Sequence, residues 1–195
     1  MWFYKVCRVI VRSAMTFLFR TEVIDPHHVP AEGPVILCSN HRSYFDPPLV
    51  ACYLNRQVKF MAKAELFSIP GFSWLIRTLG AFPVKRGEMS MEAMRTAIRV
   101  LKEGFVLVVF PEGTRRKNGE LGEGKKGAAS LALRSGAKIV PVAMIGDYKP
   151  FRRMKIVYGK PIDAAAVADL APAERGEALT ARIMKDIRDL IVRHS

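Results

Sequence analysis

The sequence predicts an α/β domain in which helices flank a largely parallel central sheet, preceded by an N-terminal amphipathic helix. Short apolar runs alternate with helical patterns from about residue 35 to the end of the chain, and such alternation is typical of parallel strands joined by helices. The run FVLVVF, residues 105–110, is apolar throughout, which indicates a strand buried on both faces. A chain of 195 residues, 50% of them hydrophobic, is large enough to bury one such core.

The first twenty residues, MWFYKVCRVIVRSAMTFLFR, have the pattern of a helix at a membrane surface. Four basic residues and one threonine recur at spacings of three or four and share one helix face: Lys5, Arg8, Arg12, Thr16 and Arg20. Apolar residues lie largely opposite, and acidic residues are absent. We expect the basic face to meet anionic lipid headgroups, the alternative being an ordinary helix packed on its own domain. The predicted units are therefore a membrane-associating helix, residues 1–22, and one domain, residues 23–195.

A linker with three prolines connects this helix to the domain. It contains His27 and His28, which we expect to be solvated and without a role. The apolar run 35–39 predicts the first strand. A helix is predicted over 47–55, because proline suits the first helical turn. The next apolar run predicts a strand over 58–62.

Strands and helices continue to alternate in the second half of the chain. Residues 65–78 are helical only in part, since Pro70 and Gly71 interrupt the pattern. Further strands are predicted where apolar residues cluster and further helices where they recur every three or four residues: strands at 81–85, 105–110, 139–145 and 155–158, and helices at 90–103, 126–135 and 173–193.

The charge balance predicts an anionic partner. Lys and Arg number 31 against 18 Asp and Glu, a net charge of +13. Nucleic acid, anionic lipid and a phosphorylated substrate all fit that charge. The three cysteines, Cys7, Cys38 and Cys52, lack metal-ligand spacing and are predicted to be small buried side chains in a reducing compartment.

The longest stretch without a charged residue, residues 66–76, is too short to cross a bilayer, because a spanning helix needs about 20 residues. This stretch, LFSIPGFSWLI, is nevertheless rich in large apolar side chains. It is a second candidate for membrane contact, and the alternative is a segment of the core.

Two of the most apolar strands run into unusual polar loops. VILCS leads into NHRSYFDP, residues 40–47, and FVLVVF leads into PEGTRR, residues 111–116. Ligands of open α/β sheets bind beyond the carboxyl ends of the strands. If the two strands are parallel, both loops lie at one edge of the sheet, where we expect the chemistry.

In the first loop, His41 and Asp46 suit a base and its orienting partner. Histidine accepts protons near neutral pH, and a carboxylate on its far ring nitrogen fixes the tautomer and stabilises the imidazolium. The five-residue separation requires a turn between them, which Pro47 and Pro48 favour by disfavouring helical backbone in the preceding residue. The alternative is that Asp46 merely caps a helix.

The second loop offers groups that suit a phosphate. A glycine-containing loop presents backbone N–H groups, and arginine forks match phosphate geometry; Glu112 is placed to hold such a fork. The stretch GAFPVKRG, residues 80–87, adds the cations Lys85 and Arg86. The alternative for each stretch is a solvated basic turn.

The blocks NHRSYFDP, GAFPVKRG, FPEGTRR and KIVPVAMIG follow one another between residues 40 and 146. Together they resemble the glycerolipid acyltransferase family, in particular the lysophosphatidic acid acyltransferases. The resemblance implies transfer of a fatty acyl group from a thioester to the sn-2 hydroxyl of lysophosphatidic acid, giving phosphatidic acid. His41 would be the general base and Asp46 its partner. The residues implied in binding the acceptor are Lys85, Arg86, Glu112, Gly113, Thr114 and Arg115.

The residues suit this chemistry without a cofactor or a metal. The thioester is already activated, and the alcohol needs only to lose its proton as it attacks. The co-substrate is acyl-CoA or acyl carrier protein, and the sequence does not choose between them. The expected partners are a lysophospholipid and an anionic membrane surface, with the protein peripheral or monotopic on the cytoplasmic face of the cell membrane.

Three alternatives remain from the sequence. One is an acyltransferase for another lysolipid, such as a lyso-ornithine lipid or a lysophospholipid with a larger head group. A thioesterase would use the same base to activate water. A nucleic-acid-binding module would explain the basic, aromatic stretch 148–158, but not the four ordered blocks, so no nucleic-acid partner is predicted.

Overall fold

The computed structural model describes residues 2–84, 90–116 and 120–195. Within these ranges the chain forms six α-helices and seven strands. The helices are α1 Trp2–Phe19, α2 Asp46–Cys52, α3 Phe72–Thr78, α4 Met91–Lys102, α5 Gly127–Ser135 and α6 Pro172–His194. The strands are β1 Thr21–Ile24, β2 Val35–Ser39, β3 Val58–Lys63, β4 Ala81–Val84, β5 Val106–Val109, β6 Lys138–Gly146 and β7 Met154–Tyr158.

The strands form one sheet in the order β1-β7-β6-β2-β5-β3-β4. Neighbouring strands are parallel except β6 and β7, which are antiparallel. The predicted α/β class with a largely parallel sheet flanked by helices is therefore confirmed. Strands β2 and β5 are buried along their whole length, as expected for a sheet covered on both faces.

The two faces of the sheet bury separate cores. Ile36 and Cys38 point into a core shared with α4, α5 and α6. Val35 and Leu37 point to the opposite face, where α2 and the end of α1 pack. Because successive residues of a strand face opposite sides, a strand in the middle of the sheet is apolar on both faces, as residues 35–38 of β2 are.

The predicted elements match the observed ones to within a few residues, with β1 as the omission. This strand pairs with β7 at the edge of the sheet and lies where a linker was expected. Its 4 residues, TEVI, are too few to establish a periodic pattern. The predicted boundary between residues 22 and 23 falls inside β1.

The proline-containing linker is also better anchored than expected. His28 is half-buried, and its Nδ1 lies 2.8 Å from the carbonyl oxygen of Tyr158. The expectation that His28 is fully solvated was wrong, because the linker runs beside β7. His27 is exposed, as predicted.

Helix α1 packs on the domain mainly through apolar side chains: Phe19 is buried, and Met15 and Leu18 pack against the same core as α2. Arg8, Arg12 and Thr16 add contacts at the edge of this face. The guanidinium of Arg8 donates to the carbonyl of Leu54, and that of Arg12 lies 5.5 Å from the centre of the Tyr53 ring. Thr16 Oγ1 is 2.8 Å from the Tyr53 hydroxyl. Lys5, Arg12 and Arg20 are exposed, so contact between basic side chains and lipid headgroups stays a prediction.

The outward side of α1 also carries large apolar side chains. Trp2 is 76% exposed, Ile10 62% and Phe17 74%. Their spacing places them on one side of the helix. Among the helices in the described ranges, none combines the length and apolar character that a bilayer span requires.

Candidate active site

The loops that follow β2 and β5 meet at the carboxyl edge of the sheet. The backbone N–H of His41 donates to Glu112 Oε1 at 2.8 Å, and the N–H of Arg116 donates to the carbonyl of His41 at 2.8 Å. Strands β2 and β5 are adjacent and parallel, so both chain segments leave the sheet in the same direction. The expected juxtaposition of the two polar loops is confirmed.

His41 and Asp46 are hydrogen-bonded to each other. His41 Nδ1 lies 2.7 Å from Asp46 Oδ2, and Asp46 is completely buried. The same oxygen accepts the backbone N–H groups of Arg42 at 2.6 Å and Ser43 at 2.8 Å. The intervening residues thus form the turn that pairing requires. The alternative role as a helix cap is wrong, because α2 begins at Asp46 and the carboxylate bonds back to the preceding loop.

The imidazole of His41 is held in a fixed plane. It stacks on Phe110, with 3.9 Å between ring centroids and 18° between planes. When Nδ1–H points at Asp46, Nε2 keeps its lone pair and is the nitrogen able to accept a proton. The side chain is 18% exposed, which leaves the ring accessible from one side.

Strand β6 holds the first loop from the other side. The side-chain amide of Asn40 donates to the carbonyl of Met144 at 3.0 Å and accepts the N–H of the same residue at 2.8 Å. Arg42 Nη1 donates to the carbonyl of Gly146 at 2.8 Å. Gly146 has φ 116°, and a Cβ there would lie 2.4 Å from the carbonyl oxygen of Arg153. The block KIVPVAMIG therefore supports the histidine loop through backbone hydrogen bonds. Its sequence alone did not indicate this role.

Glu112 joins the loops through backbone contacts. It is buried, and while Oε1 accepts the N–H of His41, Oε2 accepts the N–H of Gly122 at 2.9 Å. The N–H of Lys125 donates to the carbonyl of Pro111 at 2.8 Å. Glu112 was predicted to hold an arginine at a phosphate; the contacts observed make it a scaffold for three backbone segments.

Three of the other predicted binding residues, Gly113, Thr114 and Arg115, lie in the loop that follows β5. Gly113 has φ 70°, and a Cβ there would touch the side chain of Lys125 at 3.2 Å. Thr114 is exposed. The guanidinium carbon of Arg115 lies 3.5 Å from the centre of the Tyr44 ring, so this arginine reaches from the second loop to the first.

Lys85 and Arg86 lie outside the described residues. They follow β4, which pairs with β3 in parallel register up to Val84. Strand β4 forms the edge of the sheet, two strands away from β5. Their predicted role in phosphate binding stays a prediction.

Two of the cysteines behave as packing residues. Cys38 and Cys52 are buried; burial raises the pKa of both thiols, that of Cys52 to about 12. In the described ranges no three His, Cys, Asp or Glu side chains group in a way that would hold a metal ion.

Sequence reasoning missed Tyr148 as a site residue. Its hydroxyl donates a hydrogen bond to Asp46 Oδ1, across 102 residues of sequence. The pKa of Tyr148 is raised by burial and then by the nearby charge of Asp46. Tyr148 entered the sequence interpretation only as part of a basic, aromatic stretch, because a single tyrosine carries no pattern of its own.

Comparison with known proteins identifies the family of this fold and site. A family model described as Acyltransferase matches residues 20–145. The 1-acyl-sn-glycerol-3-phosphate acyltransferase of Bacillus subtilis is 30% identical over 193 residues, which cover 96% of each chain. A chloroplastic 1-acyl-sn-glycerol-3-phosphate acyltransferase of Brassica napus is 31% identical over 67% of this chain, which spans only 39% of that relative.

A solved structure agrees with these matches. The crystal structure of the 1-acyl-sn-glycerophosphate (LPA) acyltransferase PlsC from Thermotoga maritima superimposes with a TM-score of 0.77 at 26% identity, covering 96% of this chain and 79% of that one. The family match includes the His41, Asp46 and Glu112 positions and runs from the end of α1 into β6. The chain therefore belongs to the acyltransferase family.

Proposed function

We propose that this protein transfers a fatty acyl group from an acyl thioester to the sn-2 hydroxyl of lysophosphatidic acid, producing phosphatidic acid. The observation that carries the proposal is the buried Asp46 carboxylate on Nδ1 of an accessible His41. The names of the relatives from Bacillus subtilis and Brassica napus supply the substrate class.

In this mechanism His41 acts as general base. Nε2 takes the proton of the acceptor hydroxyl as its oxygen attacks the thioester carbonyl carbon. Asp46 stabilises the resulting imidazolium without taking the proton itself. The tetrahedral intermediate collapses, the carbon–sulfur bond breaks, and the proton on His41 passes to the departing thiolate. The products are the diacyl lipid and a free thiol.

Cations near the mouth of the site suit the acceptor phosphate. Arg115 projects over Tyr44 beside the histidine loop, and Gly113 lets the Lys125 side chain lie close to the backbone of the second loop. Lys85 and Arg86 belong to this set by resemblance. An arginine fork binds two phosphate oxygens at once, so we assign the main contact to Arg115. Thr114 and the loop backbone supply the remaining donors.

The exposed apolar side chains of α1 and α3 support contact with a membrane. We call them the apolar surface; its members are Trp2, Val9, Ile10 and Phe17 on α1, Ile69 before α3, and Phe72, Trp74 and Leu75 on α3, all at least 37% exposed. The two helices are linked by Phe3 and Trp74, whose ring centroids are 5.0 Å apart. Exposed apolar side chains grouped on neighbouring helices mark a binding surface, and a net charge of +13 favours an anionic bilayer. We place the protein on the cytoplasmic face, on the side of the soluble acyl donors.

Acceptor profiling tests the proposal. Purified protein is incubated with labelled acyl-CoA or acyl carrier protein and with lysophosphatidate, lysophosphatidylcholine or lyso-ornithine lipid, and a His41→Ala variant serves as the control. We expect label in phosphatidic acid that depends on His41, and the two donor arms identify the co-substrate. Preferential labelling of another lysolipid would show that this lipid, and not lysophosphatidate, is the acceptor. Release of free fatty acid in every arm would show that the protein is a thioesterase.

A further inference from the structure

The side chain of Asp46 is completely buried, and each of its two carboxylate oxygens has its own set of donors. Oδ2 accepts three hydrogen bonds, from His41 Nδ1 and from the N–H groups of Arg42 and Ser43. Oδ1 accepts the hydroxyl of Tyr148. A buried carboxylate oxygen without a donor is strongly destabilising. The Tyr148 bond therefore also sets how the carboxylate plane is turned about its Cβ–Cγ bond.

The ring of Tyr148 is held by two other aromatic side chains. Phe19, the last residue of α1, contacts it edge-on with 5.6 Å between centroids. Phe45, which immediately precedes Asp46, lies 6.3 Å away in a stacked orientation, and Phe19 and Phe45 are 5.4 Å apart. We call these three residues the aromatic cluster. Edge-to-face and offset arrangements at these distances are the favoured ones.

The backbone around Tyr148 is tied to α1 as well. The N–H of Phe151 donates to the carbonyl of Leu18 at 2.6 Å, and the rings of Phe17 and Phe151 are 5.6 Å apart. The carboxyl end of α1 thus fixes both the loop that carries Tyr148 and, through Phe19, the ring itself. A connected set of contacts leads from α1 to the carboxylate of Asp46.

We infer that Tyr148 is a positioning residue for the His41–Asp46 pair, held in place by the end of α1. The inference rests on the proposed acyl transfer and adds a residue to it. The hydroxyl of Tyr148 keeps Oδ2 aligned with Nδ1 of His41, and so favours the tautomer with the proton on Nδ1 and a free lone pair on Nε2. Burial and the Asp46 charge raise the pKa of Tyr148, so it remains a donor at the pH of the reaction.

The variant that tests this is Tyr148→Phe, which keeps the ring of the aromatic cluster and removes only the hydroxyl. With detergent-dispersed lysolipid we expect kcat to fall about tenfold, as for the loss of one hydrogen bond to a charged group, while KM stays within about twofold because the substrate contacts are unchanged. Nitrogen NMR of the imidazole, assigned with His41→Ala, should show a smaller fraction of the Nδ1–H tautomer.

Tyr158→Phe is the matched control. Its hydroxyl is also buried, and it donates to the carbonyl of Val50 in α2 at 2.8 Å rather than to the carboxylate. It should lower the melting temperature but leave kcat and the His41 tautomer unchanged. A Tyr148→Phe variant with the kcat and tautomer of the wild type would overturn the inference while the proposed function stands. The NMR measurement decides the positioning role even if lysophosphatidate is not the acceptor.

The link to α1 is tested by Phe19→Leu, which keeps an apolar side chain at the buried position. We expect a smaller fall in kcat than for Tyr148→Phe, in the same direction and with KM unchanged. If Phe19→Leu lowers the melting temperature yet leaves kcat and the tautomer at wild-type values, α1 does not hold Tyr148.

Discussion

The backbone N–H of His41 lies 2.8 Å from a carboxylate oxygen of Glu112, although 71 residues separate the two in sequence. This bond joins the loop after β2 to the loop after β5. Because the other oxygen of Glu112 accepts the N–H of Gly122, one buried carboxylate orders the backbone beneath the histidine. His41 is thus positioned from two directions: Asp46 holds its ring, and Glu112 holds its backbone.

The first prediction concerns the base and its partner. His41→Ala should lower kcat by about 100- to 10,000-fold, the usual contribution of a positioned general base, while the melting temperature changes little because the ring is partly exposed. Asp46→Asn should lower kcat less, since the imidazole remains but loses its preferred tautomer. Steady-state kinetics and thermal unfolding measure both effects. Near-normal turnover of His41→Ala would rule out His41 as the general base.

The second prediction separates a scaffold from a substrate ligand. Glu112→Gln keeps the shape of the side chain but turns an acceptor into an NH₂ donor, which must face one of the two backbone N–H groups. Leaving a buried donor unpaired costs about 1–3 kcal/mol, so the melting temperature should fall, and kcat should fall with it. If Glu112→Gln melts like the wild type and only the KM for lysophosphatidate rises, Glu112 is a substrate ligand instead.

The strands and the pairing of His41 with Asp46 were predictable for physical reasons. Strands such as β2 and β5 are buried on both faces, so their sequences are continuous apolar runs, and a polar loop after such a run stands out. Short edge strands such as β1 lack that pattern. The sequence pattern predicted a helix at α1 but not the residues that pack inward, because Met15, Leu18 and Phe19 contact a core that only the tertiary fold brings together.

Contacts between distant residues account for most of the rest. Asn40 bonds to Met144 and Tyr148 to Asp46, each across more than a hundred residues. Neither pairing leaves a local pattern, since each depends on which strands lie side by side. The order of strands in the sheet is itself a tertiary property. A single asparagine or tyrosine therefore becomes interpretable only when the topology is known.

The third prediction concerns phosphate recognition. Arg115→Ala should raise the KM for a phosphorylated acceptor more than it lowers kcat, because ground-state binding is lost. Arg115→Lys should rescue only in part, since an ammonium group lacks the planar fork and stacks less well on Tyr44. Arg134→Ala, an exposed arginine on α5, is the control and should leave KM unchanged. An equal loss with acceptors that lack a phosphate would make Arg115 structural.

The fourth prediction concerns the cysteines. Thiolate is the reactive form of cysteine, and burial raises the pKa of the Cys38 and Cys52 thiols. At pH 8 a thiol reagent should therefore modify Cys7, which is partly exposed, long before the other two. Denaturant should release both remaining thiols together. Rapid modification of Cys52 in the native protein would show that the region between α1 and α2 opens in solution.

The last prediction concerns how the protein meets a bilayer. Deleting residues 1–20 is a poor test, because it also removes Phe19, which is 2% exposed and part of the core. A glutamate substitution on the outward face of α1 tests membrane contact without removing a core residue. Ile10→Glu should lower flotation with anionic vesicles and lower activity on bilayer-embedded lysolipid, while activity on a detergent-dispersed substrate stays close to that of the wild type. Inserting a charge opposes burial of the apolar face among the acyl chains.

The matched control is Val192→Glu, which places the same charge at an exposed valine of α6, on the opposite face of the sheet. It should float like the wild type, because α6 lies away from the apolar surface. High salt should weaken wild-type binding only in part, since screening removes the contribution of the exposed cations, about 1 kcal/mol each, and leaves the apolar one. If Ile10→Glu floats as well as Val192→Glu, α1 is not the anchor. Trp74→Glu in α3 then tests whether the other half of the apolar surface carries the binding.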